Sequence, residues 1–282
     1  MSEKMTSSFQ RGRHAKILIH IALILGAIWM LLPFFWMVST SLKTQMEALK
    51  FPPNIVPEVF EFMNYVEAFK QVDFSRYFLN TIIMTISTTL LVFVTSSLAA
   101  YAFARLKFYG RELLFTLFLA MMMIPIPVYL VPSYVILSRL GWIDTFLALI
   151  IPWSTNIFSI FLLRQHFKTI PQELFDAAKI DGLNHLQILK NIVLPLSKAV
   201  LVTVGIFQIV TNWNSFLWPL IVTHSDSMRT IQTGLAYFAQ AESTNYPLLC
   251  AASTFTTMPL IILYFFVQKQ IMESYARAGL KE

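Results

Sequence analysis

The sequence predicts an all-α membrane protein with six transmembrane helices, and three observations predict it. Six apolar runs are each long enough to supply the roughly 20 helical residues that cross a bilayer core of about 30 Å. Only 13% of the 282 residues are charged, while 56% are hydrophobic and 25 are Phe; soluble domains carry roughly 25% charged residues. Finally, Lys and Arg fall unevenly on the connections, as they do around a membrane with a basic inner side.

The first run, 17–41, is far longer than the roughly 7–15-residue apolar core of a signal peptide. No A-x-A pattern closes it; Pro33, Phe34, Phe35 and Trp36 do, so it is expected to stay as an anchor. The second run is 77–104. The third, 113–137, contains Pro125, Pro127 and Pro132. The fourth, 144–163, is diluted by Pro152, Asn156 and hydroxyls. The fifth, 197–223, contains Pro219, and the sixth, 247–268, contains Pro259. Such breaks are tolerated where neighbouring helices or cavity water satisfy the freed carbonyls. With the amino end inside, fifteen of the 21 Lys and Arg lie on the inner side and six on the outer. That bias puts both termini in the cytoplasm. The chain therefore reads as an inner segment 1–16, one six-span domain 17–268 and an inner tail 269–282.

The composition also excludes chemistries. The net charge of +6 is dispersed between apolar runs, which speaks for basic loops on a membrane and against nucleic acid. Cys250 is the single cysteine, so there is no internal disulfide and no C-x-x-C site. None of the eight Gly residues is followed by Lys, so a G-x-x-x-x-G-K phosphate loop is missing. The five His residues form no H-E-x-x-H pair, and there is no G-x-S-x-G elbow. Within the spans no Asp, Glu, Lys or Arg occurs away from the end residues Asp144 and Lys198. That argues against a proton-driven carrier and a charged channel filter. If chemical energy is used, another chain supplies the nucleotide site.

Neutral polar groups do enter the spans. The stretch "QIVTNWNSFLWPL" carries Gln208, Asn212, Trp213, Asn214, Ser215 and Trp218. Gln208, Asn212 and Ser215 share one helical face. Amides bind hydroxyls without carrying charge into lipid, and indole stacks on the apolar side of a sugar ring, so these six are candidates for a translocation path. Inter-helix hydrogen bonding plus an interfacial aromatic belt uses the same residues and stays open beside it.

The inner connection between spans four and five, 169–196, concentrates charge in a chain that has little. Thr169 and Gln172 are spaced as a capping box, and Pro171 suits a first helical turn. Ile170, Leu174, Ala177 and Ala178 recur at helical spacing, edged by Glu173, Asp176 and Lys179. Asp181-Gly182 is expected to end this helix, with Gly182 left-handed, and Asn184 to cap a second. A helix of roughly 11 residues is about 16 Å long, too short to cross the membrane. Its acidic edge disfavours anionic lipid. A small-residue helix with no lipid partner reads as a knob for docking another protein.

These residues carry a resemblance. Asp176-Ala177-Ala178, then Asp181-Gly182, then Ile192-x-Leu194-Pro195, is similar to the EAA loop of binding-protein-dependent ABC importer permeases, with Asp176 where the family form has Glu. "SSLAAYAFARLKFYG" (96–110), "MIPIPVYLVPSYVILSRLGWIDT" (123–145) and "NWNSFLWPLIVT" (212–223) resemble the maltose-type, carbohydrate-importing branch. In the last, Ser215 stands where Glu is common, and the end "YARAGLKE" only partly matches the branch's glycine-rich tail. The resemblance implies a type I ABC importer permease fold. It implies a paralogous second permease, two ATPase subunits that hold ATP and Mg, an extracytoplasmic solute-binding protein and a carbohydrate substrate. It makes Glu173, Leu174, Asp176, Ala177, Ala178, Asp181, Gly182 and Leu183 an ATPase-docking coupling helix. The chain itself is then expected to be no enzyme and to hold no cofactor or metal. A permease of the same build for another small solute, a stand-alone channel or carrier, and a scaffold are the competing readings.

Overall fold

The computed structural model describes residues 2–239 and 244–279, and every regular element among them is helical. In chain order these are α1 (Ser2–Ser41), α2 (Gln45–Ala48), α3 (Met63–Gln71), α4 (Phe74–Arg105), α5 (Arg111–Met121), α6 (Ile126–Arg139), α7 (Phe146–Ile150) and α8 (Ile157–Thr169). There follow α9 (Gln172–Ile180), α10 (His185–Ile188), α11 (Leu194–Leu196), α12 (Lys198–Trp213), α13 (Leu217–Val222), α14 (Ile231–Phe238) and α15 (Tyr246–Gly279). A 3₁₀ turn, Ile151–Trp153, extends α7, and a π-helical turn, Leu189–Val193, joins α10 to α11.

Four helical stretches are long and apolar enough to cross a bilayer alone: Lys16–Ser41, Phe74–Arg105, Phe146–Thr169 and Tyr246–Lys269. Two bent pairs bring the total to six, matching the expected number. Residues 111–139 bend by 98° between α5 and α6. Pro125 and Pro127 explain this: a residue before proline avoids the α region and proline donates no N–H, so α5 stops at Met121 and α6 restarts with Pro127 in its first turn. Residues 185–213 bend by 83° at Ser197. The fifth run, 197–223, expected to be interrupted at Pro219, is broken instead at 214–216, with Pro219 inside α13. By contrast α1 continues through residue 16 and α15 through residue 269, so the expected tail boundaries fall inside unbroken helices. Residues 280–282 of the expected tail, and Met1, lie outside the described residues.

The chain divides into two compact units, residues 1–71 with 238–257, and residues 72–237 with 258–282. In the first, no residue in the apolar window of α1 is buried. The loop that follows α1 folds back on its end. Lys43 is fully buried, donating to the Asn54 carbonyl with its ammonium 4.5 Å from the Trp36 ring centroid.

The second unit is built on α4, which has α8 and α12 as its main neighbours. Thr95 donates to the Ser154 carbonyl at 2.7 Å and Arg105 reaches the Phe167 carbonyl at 3.1 Å, so α4 and α8 advance together and are parallel. Trp213 meets Phe78 edge-on at 5.4 Å, while Gly205 lies against Phe93, so α12 runs antiparallel to α4. A Cβ at Gly205 would stand 2.9 Å from the Phe93 ring, and glycine is what permits that approach. One hydrophobic cluster joins these spans to the inner connection: Val92, Ile160, Leu163 and Val204 share it with Ile170, Phe175, Ala178 and Ile188. Toward the opposite end, Met84, Leu137, Leu149, Trp218 and Val222 form another.

Candidate functional site

The connection between α8 and α12 is an elbow of two arms. Pro171 precedes the first, α9, and the extended backbone of Ile170 (ψ 129°) is what a residue before proline adopts. The expected Thr169–Gln172 capping box does not form. Thr169 still belongs to α8 and its hydroxyl donates to the His166 carbonyl, while the Gln172 side chain is drawn to Arg105 and Asp176.

At its far end α9 closes as anticipated. Gly182 is left-handed (φ 78°), its N–H donates to the Lys179 carbonyl at 3.0 Å, and the Leu183 N–H donates to the Ala178 carbonyl at 3.0 Å. That pair of bonds is the Schellman closure, and Leu183 adds its apolar contact by packing on the inner cluster. Nothing lies within 4 Å of a Cβ placed on Gly182, so its backbone angle, not crowding within this chain, calls for glycine. Asn184 and Gln187 then make a full capping box for α10, at 2.8 and 3.0 Å. Pro195 accounts for the π turn upstream of it, because it removes one backbone donor and crowds the carbonyl four residues earlier.

The stripe that α9 buries is Ile170, Phe175 and Ala178; Leu174 and Ala177 face outward. Phe175 and Ala178 enter the cluster with Ile160, Leu163 and Ile188, and the Arg105 guanidinium lies 4.0 Å from the Phe175 ring centroid. The outward face therefore carries Glu173, Leu174, Asp176, Ala177, Asp181 and the 86%-exposed Ile180. Only Lys179 offsets its acidity there, 4.0 Å from Asp176. An apolar centre in an acidic rim suits a partner groove with basic edges.

Sequence reasoning missed the side chains that hold this elbow. Arg105 donates to the carbonyls of Phe167 and Ile170 and to Gln172 Oε1. Tyr101, one turn earlier on α4, is hydrogen-bonded to His185 Nδ1 at 3.0 Å. Arg164, with only 4% of its side chain exposed, donates to the Phe103 carbonyl at 3.2 Å and pairs with Glu112 at 2.7 Å. In the sequence these arginines register only as inner-side charges.

The six candidate path residues are spread over different surroundings. Gln208 is buried and donates to Ser159 Oγ at 3.2 Å; Asn212 is buried and donates to the Gln208 carbonyl at 2.8 Å. Trp213 is buried against Phe78, and Trp218 is buried with its indole N–H donating to the Ala148 carbonyl at 2.9 Å. Asn214 is exposed and Ser215 half-buried, at the helix break. On α4 the hydroxyls of Thr85, Thr88 and Thr89 are buried without a protein partner, a polar stripe that the sequence reading did not single out.

At the opposite end of these spans from the elbow, Asp144, just ahead of α7 and itself left-handed (φ 63°), accepts from the His224 and Ser225 N–H groups at 2.9 and 3.0 Å. Burial works to raise its pKa, but the hydrogen bonds from Ser225 and His224 outweigh it and hold the carboxyl below its ordinary value.

The profile of the "Binding-protein-dependent transport system inner membrane component" family matches residues 93–275, from mid-α4 through the elbow into α15. The chain belongs to this family. It is thus the membrane-spanning permease of an ABC importer, a multi-pass protein and not an enzyme. The permease is 32% identical over 269 residues to the arabinooligosaccharides transport system permease protein AraQ of Bacillus subtilis, covering 94% of this chain and 96% of that one. It is 30% identical to the lactose transport system permease protein LacG of Rhizobium radiobacter, covering 93% and 96%. Its fold is that of a chain in a crystal structure of a bacterial ABC transporter involved in the import of the acidic polysaccharide alginate. The TM-score is 0.81 and the identity 23%, over 91% of this chain and 96% of the other.

Proposed function

We propose that this permease carries a carbohydrate, as one of two paralogous permeases enclosing the path, and that α9 is the coupling helix seated in a separate ATPase subunit. The sugar reading is supported by relatives named for arabinooligosaccharides, lactose and diacetylchitobiose that match over nearly the whole chain. The docking reading rests on one observation above the rest: α9 buries Phe175 and Ala178 in the bundle core and leaves Glu173, Leu174, Ala177 and Asp181 outward. A helix already stitched to the bundle, with an uncovered apolar-acidic face, is built to receive load. Two ATPase subunits holding ATP and Mg would close, draw the two elbows together and open the path outward; hydrolysis would reset it. An extracytoplasmic binding protein would deliver the sugar, and both termini would lie inside.

Within the path we assign substrate contact to the break at Asn214 and Ser215, whose amide and hydroxyl suit a neutral polyol. Gln208, Trp213 and Trp218 hold the helices that frame it, and Asn212 bonds within its own helix.

The test is uptake by proteoliposomes holding this permease, its partner permease and the ATPases, with the binding protein outside. Labelled arabinooligosaccharide or lactose should accumulate only with ATP, and stop when the ATPase phosphate loop is disabled. Uptake by this chain alone, or uptake indifferent to ATP, would contradict the proposal.

A further inference from the structure

We infer that Arg105 is the positioning residue of the coupling machinery: with Tyr101 and Arg164 it locks both arms of the elbow to the inner end of α4 and α8, so that the elbow and this helix pair move as one rigid body. The inference rests on the coupling-helix assignment proposed above.

Because α4 and α8 are parallel, their C-terminal turns lie side by side, and each presents unsatisfied carbonyls and a partial negative charge. Two such ends repel unless cations stand between them. Each helix sends an arginine to the other. Arg105 of α4 takes the Phe167 carbonyl in the last turn of α8, and Arg164 of α8 takes the Phe103 carbonyl near the end of α4, at 3.2 Å. Each guanidinium also lies over a phenylalanine ring of a third element, Phe175 of α9 at 4.0 Å and Phe115 of α5 at 3.8 Å.

Arg105 does more than bridge two helices. Its remaining donors reach the Ile170 carbonyl in the link and Gln172 Oε1 in the first turn of α9, at 3.1 Å. The 170–171 link is thus held on both sides and cannot absorb a displacement of α9 by swinging. Tyr101 grips His185, the first residue of α10, from the same face of α4 one turn away. α9 and α10 are themselves joined by the closed turn at Gly182. A pull on α9 is therefore delivered to α4. Lysine has the charge but not the planar fork that serves several acceptors at once.

The experiment uses the assembled transporter in nanodiscs, with Cys250→Ser and spin labels at Leu98→Cys on α4 and Lys179→Cys on α9, both exposed positions. A second pair, Lys179 against the partner permease's elbow, reports the cycle. The α4–α9 distance should stay single and unchanged from nucleotide-free to ATP-bound states while the second pair shifts. Arg105→Ala should broaden the α4–α9 distribution and raise ATP consumed per sugar transported by roughly tenfold, with Arg105→Lys recovering part of each. An α4–α9 distance that changes with nucleotide while the second pair responds overturns the clamp and leaves the coupling helix standing. Wild-type stoichiometry in a correctly assembled Arg105→Ala complex overturns it as well. A second pair that never responds to nucleotide overturns the coupling-helix assignment, and the clamp with it.

Discussion

The two polar connections at 42–73 and 170–196 are both tied down, but to different things. In the outer one Lys43 donates to the Asn54 carbonyl and lies over Trp36, Asn64 donates to the Ser41 and Lys43 carbonyls at 2.9 Å each, and the Glu58 N–H donates to Glu47 at 2.8 Å. Those partners stand within about thirty residues of one another, while Gln45 donates to the Thr244 carbonyl at 2.9 Å and Phe69 meets Phe255 edge-on at 4.6 Å, so the loop is tied to the end of its own helix and to α15. In the inner one Arg105 reaches partners 62 to 67 residues away, and Tyr101 one 84 residues away. The first connection is a lid tied to α1 and α15; the second is a handle tied to α4 and α8.

Four perturbations sharpen or break that contrast, in descending order of expected effect. Phe175→Ala empties a core position that is 3% exposed and removes the ring beneath Arg105. Burial losses of this kind cost about 3–5 kcal/mol, and thermal unfolding of the assembled complex should register them together with lost uptake. Lys43→Met removes a buried charge-assisted bond and a cation–π contact, which costs about 1–3 kcal/mol. It should lower the unfolding midpoint yet leave sugar uptake per folded complex intact; an uptake defect as deep as that of Phe175→Ala would erase the distinction between lid and handle. Gly182→Ala forces a Cβ into the left-handed region at a cost of about 1–2 kcal/mol, without a clash in this chain. A modest loss of elbow stability, seen as faster proteolysis at 181–184, is expected.

The smallest effect concerns acid. Asp144 has a folded pKa below its ordinary value, so its contribution is fully present above that value and fades as pH falls through the folded pKa. Acid unfolding curves of wild type and Asp144→Asn should be apart above about pH 4, with wild type the more stable, and draw together as pH falls from there through the folded pKa. Parallel curves would contradict the assignment.

Much of this was legible beforehand because it depends on local chemistry. Apolar run length places the spans, Gly182 marks the turn that only glycine enters freely, and Asn184 announces its helix. Proline positions announced breaks, though not that residues 111–139 would bend by 98°. Periodicity missed by one residue on α9, choosing Leu174 over Phe175, because the cluster that buries Phe175, and Arg105 over its ring, come from residues distant in sequence. For the same reason the Arg105 and Arg164 exchange was invisible: each looks like any inner-side charge until the two helix ends are seen together. Gln208 and Trp218 show the opposite limit, since amides and indoles suited to a sugar serve equally well in the helix contacts they make here.

The central claim is that α9 turns one face to the bundle and the other to an ATPase, and a cysteine scan reads this directly. In a Cys250→Ser background, single cysteines at Glu173, Ala177 and Ile180 should crosslink to the ATPase subunit in the assembled transporter, while those at Phe175 and Ala178 should not. Capture with helical periodicity is the predicted result. Equal capture at all five positions, or capture at none, would contradict it.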